Sequence, residues 1–260
     1  MEHGGFTIQN FTREGKIRAS LSGDNVLTFG TAMNPCTKDQ DRIDYKKINI
    51  GQSTTFFFGL FDGHGLSSAA SDSAESNLLN LLEEELTQLY IAKNSEAQWS
   101  DEQMKVACER AFMRTHETIN NTFGRDQRAG STATVIALQR LPSEWKVQCS
   151  WVGDSRAATI TLSGSADNLN EDHRLDLPRE LERVMEIHKS EESSAPQGER
   201  LTVVANRVCN TTGQVGPRVV FNEKTGVSLM VTRALGDPLG ASAVICRPDF
   251  ASRVVPIYSR

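Results

Sequence analysis

Acids, glycines and one histidine gather in four short segments of this sequence: Lys38-Asp39-Gln40-Asp41, Asp62-Gly63-His64-Gly65, Gly153-Asp154-Ser155-Arg156 and Thr232-Arg233-Ala234-Leu235-Gly236-Asp237. Asp62 follows directly on the apolar run 54–61, TTFFFGLF. A carboxylate set where a buried strand runs out is held at the rim of the core, which suits a metal ligand. Gly63 and Gly65 let the backbone come close to an ion and free a carbonyl to coordinate it. His64 can exchange a proton near neutral pH. Alone, the tetrapeptide reads first as a turn, because Asp-Gly is the commonest hairpin signal and its glycines need no further reason. Segment 153–156 lies between two β-rich runs and by itself is a hairpin turn with an exposed ion pair. Asp39 and Asp41 face the same way if extended, or form a solvated charge pair in a loop. His173, in Asp172-His173-Arg174 ahead of a helix, is expected to be structural. The sequence contains no P-loop lysine motif, GxSxG elbow or HExxH.

These residues need elements to hold them. Run 54–61 is short, aromatic-rich and bounded by polar residues, which predicts a strand buried on both faces. Leu78, Leu79, Leu82, Leu86 and Leu89 recur at helical spacing within 66–90. A second helix is expected from Ser100, where Gln103 completes a capping box, to a closing Gly124. Runs 131–138, 146–152 and 157–162 are β-rich and closely connected, which predicts antiparallel pairing. Residues 178–188 predict a helix with proline in its first turn, 190–199 a surface loop, and 227–231 a strand in the core sheet. Short β-like pieces such as 25–31 precede all of these.

With 28 basic against 33 acidic residues, the net charge is −5, which argues against a nucleic-acid partner, whose phosphates need a basic face. Five cysteines without a CxxC pair predict reduced thiols in the cytoplasm or nucleus. No apolar stretch approaches 18 residues and the start has no apolar leader core, so neither membrane insertion nor secretion is expected. The length suits one large domain or two small ones. No composition shift marks a boundary, so a single domain over 1–260 is expected, and the chain is expected to be a monomer.

In their order, the segments resemble the metal-dependent protein phosphatases, the type-2C serine/threonine phosphatases. The resemblance rests on Gln40-Asp41, FDGHG at 61–65, GSTAT at 130–134, WVGDSRA at 151–157, EDHRLDLPRELERV at 171–184, TRALGD at 232–237 and RPDF at 247–250. It implies an α+β fold of two packed antiparallel sheets flanked by helices. It implies two Mn²⁺ or Mg²⁺ ions, with Asp62 and the Gly63 carbonyl as ligands, Asp41 (with Gln40 or Asp39 as alternatives beside it) supporting metal-bound water and Asp154 on a further, weaker ion. His64 is then the acid that protonates the leaving seryl or threonyl oxygen of a phosphoprotein substrate. The family's phosphate-holding arginine precedes the acidic motif, where Lys38 stands here. Leu66 replaces a second glycine after the FDGHG segment. Family members continue past RPDF to a DG motif and an Asp-Asn pair that supply further metal carboxylates, whereas this sequence ends at Arg260. Weak occupancy, one ion at most, is therefore expected. Two functions follow from the resemblance: an active Ser/Thr phosphatase, or an impaired phosphatase-like binding module. A generic β-sandwich binding protein would leave the motif order to chance.

Overall fold

The computed structural model describes residues 7–8, 19–20, 39–93, 98–123, 128–161, 163–192, 202–208, 215–222, 227–237 and 243–256. In chain order these hold β1 (Thr7–Ile8), β2 (Ala19–Ser20), β3 (Arg42–Ile50), β4 (Ser53–Phe61), β5 (Gly63–Gly65), α1 (Ala69–Lys93) and α2 (Asp101–Phe123). Next come β6 (Ala129–Ser131), β7 (Ala133–Arg140), β8 (Glu144–Val152), β9 (Ala158–Ile160), β10 (Ala166–Asn168) and α3 (Pro178–Glu192). Last are β11 (Thr202–Val208), β12 (Val215–Asn222), β13 (Val227–Leu229), β14 (Leu235–Gly236) and β15 (Asp249–Pro256). The 25–31 piece, Gly124 and 193–199 lie outside the described residues.

The main sheet is antiparallel, in the order β15-β8-β7-β4-β3. β4 is interior, as its aromatic run predicts, with Phe57 and Phe61 fully buried, although Leu60 is 36% exposed. Helices α1 and α2 cover one face, where Leu78, Leu82, Leu86, Met104, Phe112 and Ile119 pack against Phe57, Phe61, Val135 and Ala137. The expected capping box opens α2: Ser100 N–H donates to Gln103 Oε1 at 2.9 Å and Gln103 N–H to Ser100 Oγ at 3.2 Å. Val147, Cys149, Trp151 and Leu169 form a second cluster with Ile136 and Leu138. Antiparallel sheets with outer helices are the expected fold class.

Three expectations are corrected. Run 131–138 is two strands, because Thr132 leaves the ladder to bond Asp62. Thr132 N–H donates to Asp62 O at 2.9 Å, and Asp62 N–H donates to Thr132 Oγ1 at 3.0 Å. Both chains kink there together, and β5 and β6 form a separate sheet of order β14-β6-β5. Segment 153–156 is not a hairpin turn: β9 pairs with β10, while β8 pairs with β15 and β7. Gly153, at φ 93°, instead exchanges hydrogen bonds with His173 and turns the chain away. The strand at 227–231 spans only Val227–Leu229 and belongs to the sheet β11-β12-β13, not to the main sheet. Val231 bridges Arg174.

Helix α3 packs Val184 and Ile187 against Leu175, Val231 and Ala234. Its Glu180 is 1% exposed, a position a carboxylate tolerates only when fully bonded. It accepts from Arg233 Nη2 at 2.5 Å, Arg183 Nη2 at 2.7 Å and Thr232 Oγ1 at 2.8 Å. Burial alone would raise its pKa, but the bonds from Arg233, Arg183 and Thr232 outweigh it and hold it at about 2, against an ordinary 4.5. Such a depressed acid stabilises the fold fully above its unfolded pKa, and that stability drains as pH falls toward the folded value. The thermal midpoint should therefore fall on acidification from about pH 4.5 to 2. Glu180→Gln should flatten that loss and, at neutral pH, destabilise by about 3 kcal/mol by leaving two guanidinium groups short of a counter-charge. Thermal unfolding across pH checks both outcomes.

Candidate active site

Hydrogen bonds draw the acidic segments together where β4, β6 and β8 end. Asp62 lies between β4 and β5, and its backbone is fixed by the two hydrogen bonds to Thr132. The Thr132 hydroxyl also meets Ser155 Oγ at 2.7 Å, and Thr134 Oγ1 donates to Ser155 O at 2.8 Å. GSTAT thereby ties the Asp62 turn to the Asp154 turn. A Cβ on Gly153 would stand 2.5 Å from Thr132 Cγ2, so that turn needs glycine for space as well as for its φ. His173, fully buried and stacked on Trp151, holds the turn from behind, as expected of a structural histidine.

Segment 39–41 is clasped from two sides. The Gln40 carbonyl accepts from Gly63 N–H at 3.2 Å and from Ser71 Oγ at 2.5 Å. Arg42 Nη1 donates to the carbonyls of Asp39 and Asp41, while its Nε donates to Asp72 Oδ1 on α1 at 2.6 Å. Arg42 thus secures the acidic segment. Gly63 has no room for a side chain, since a Cβ would stand 2.5 Å from Gln40 O. Lys38 lies outside the described residues.

Burial raises the Asp62 pKa, and the charges of Asp41 and Asp154 push it further, to about 6. Those three carboxylates therefore share one neighbourhood. Arg174 Nη1 stands 3.9 Å from Asp154 Oδ2. The buried Gln40 amide oxygen has no hydrogen-bond partner among the described residues. Oxygen donors with excess negative charge fit a hard dication such as Mg²⁺ or Mn²⁺ in kind. They do not close around one: among the described residues, no three His, Cys, Asp or Glu side chains are spaced to hold a single ion.

His64 Nε2 stands 2.7 Å from Asp237 Oδ2. Burial would lower the His64 pKa, but the charge and hydrogen bond of Asp237, with Asp62 and Asp154, raise it on balance. Residue type and spacing alone point to no separate role for Asp237, Thr132 or Arg42. The motifs TRALGD and GSTAT are the signals that contain the first two.

A family model described as Protein phosphatase 2C matches residues 36–255. Probable protein phosphatase 2C 15 of Arabidopsis thaliana is 32% identical over 176 residues, which are 65% of this chain and 37% of that protein. Probable protein phosphatase 2C 32 of Oryza sativa subsp. japonica is 30% identical over 145 residues, covering 56% of this chain and 33% of that protein. The chain thus spans about a third of the length of these relatives. A solved phosphatase from a pathogenic strain of Toxoplasma gondii shares the fold, with a TM-score of 0.60 at 19% identity over 85% of this chain and 69% of that one. Ordered motifs, fold and family match agree over the same residues, and the chain belongs to the protein phosphatase 2C family.

Proposed function

We propose that this chain is a divalent-metal-dependent protein phosphatase acting on phosphoserine and phosphothreonine. The observation that carries this reading is the convergence of Asp41, Asp62 and Asp154 beside the His64–Asp237 pair. Asp62 and the Gly63 carbonyl would ligate a metal, Asp41 and Asp154 would add negative charge around it, and Lys38 would meet the phosphate. A bound dication supplies Lewis acidity and positive charge for the phosphoryl oxygens. His64 supplies the proton that the departing seryl or threonyl oxygen needs. A cysteine nucleophile is disfavoured at Cys108 and Cys149, because burial pushes both thiols up to about 12. The free thiols of Cys108, Cys149 and Cys246 suit a reducing compartment, the cytoplasm or nucleus. Among the described residues no helix is long and apolar enough to cross a membrane.

Hydrolysis of p-nitrophenyl phosphate at millimolar Mn²⁺ tests the reading. Turnover should depend on the metal, and Asp62→Ala should lower it by roughly 10²-fold or more. A well-folded chain without turnover would instead favour a phosphatase-like binding module. Calorimetric titration with Mn²⁺ should show one weak site at most, weaker still in Asp62→Ala, because the carboxylates do not close around an ion. Two tight sites would contradict that expectation.

A further inference from the structure

His64 and Asp237 are 173 residues apart in sequence, and three features bring them together. In the sheet β14-β6-β5, Gly236 and His64 both register against Gly130, from its two sides. Gly130 has no side chain, and a Cβ there would overlap both Asp237 Oδ2 and His64 Nε2. Asp237 itself sits at φ 55°, after Gly236 at φ 81°, in a left-handed conformation that L residues rarely adopt. That turn is pinned by Asp237 N–H to Ala129 O at 3.1 Å and by Gly236 N–H to His116 Nδ1 at 3.2 Å. The Asp237 side chain is only 9% exposed, and its ion-pair partner among the described residues is His64.

We propose that Asp237 is the positioning residue for His64. Its carboxylate accepts the Nε2–H, which fixes the ring orientation and leaves Nδ1, without a hydrogen-bond partner among the described residues, to serve the substrate. The kinetic part of this inference rests on the phosphatase reading. In the reaction, a water oxygen forms the new P–O bond and releases a proton to solvent. The P–O bond to the seryl or threonyl oxygen breaks with its electron pair passing to that oxygen, which takes the Nδ1 proton of the imidazolium. The neutral imidazole still donates its Nε2–H to Asp237.

Leaving-group dependence separates positioning from simple structural support. A nitrophenolate leaves without a proton, whereas a threonyl alkoxide does not. Asp237→Ala should therefore lower kcat on a phosphothreonine peptide by about 10²-fold and on p-nitrophenyl phosphate by less than about 5-fold. His64→Gln should show the same pattern, and the double variant should fall no further. Equal losses on both substrates, or multiplicative losses in the double variant, would overturn the proposal. Independently of activity, NMR of the ¹⁵N-labelled full chain should show a strongly downfield His64 Nε2 proton, assigned by its loss in His64→Gln. It should also be lost in Gly130→Ala, where the strand gap is filled. Absence of that proton in the unaltered chain overturns the pairing. A chain that hydrolyses neither substrate refutes the phosphatase reading, and the NMR comparison then decides the pairing by itself.

Discussion

Burying the Arg233 guanidinium is the constraint around which the site is arranged. Its side chain is 10% exposed, between Glu180 on α3 and Asp249 at the start of β15. A further bond runs from its Nη1 to the Arg247 carbonyl at 3.0 Å. Such a pair contributes little net stability, because desolvation consumes much of the attraction. It does fix geometry, since a buried guanidinium has few arrangements in which its donors are satisfied. Helix α3, β15 and the TRALGD segment must therefore keep one relation. Asp249 also meets His173 Nε2 at 3.0 Å, and His173 holds the turn carrying Asp154. One network reaches both sides of the site.

The site itself is made by omission as much as by contact. Gly130 leaves the gap that the His64–Asp237 pair crosses, and Gly63 leaves the gap that the Gln40 carbonyl fills. Asp39 and Asp237, the non-glycine residues with positive φ among those described, both border the site. Backbone strain of this kind costs of order 1–3 kcal/mol per residue and persists only where surrounding bonds hold it. Here Arg42 holds Asp39 through its carbonyl, and Ala129 holds Asp237 through its amide.

Electrostatics divide the site in two. Asp41, Asp62 and Asp154 repel one another, and the Asp62 carboxyl is pushed up to about 6 by burial and by its two neighbours. Beside them, Asp237 draws His64 toward its charged form. Like charges gathered at a buried rim favour a cation, and the Asp237 carboxylate favours the charged form of the imidazole beside it.

The sequence by itself determined what depends on near neighbours. Leucine spacing marked α1, Ser100 and Gln103 marked the start of α2, and the aromatic run marked β4 as interior. The order of the motifs marked the family. Tertiary structure alone decided where those pieces meet: that Thr132 breaks a β-rich run to hold Asp62, that β9 turns from β8 to β10, and that β13 joins β12. It also decided that Asp237 reaches His64 and that Arg42 secures the acidic segment. Periodicity and capping act within a few residues and are written in local sequence. Register, strand partners and the closing of a gap over a glycine depend on surfaces brought together by folding, which no local spacing encodes.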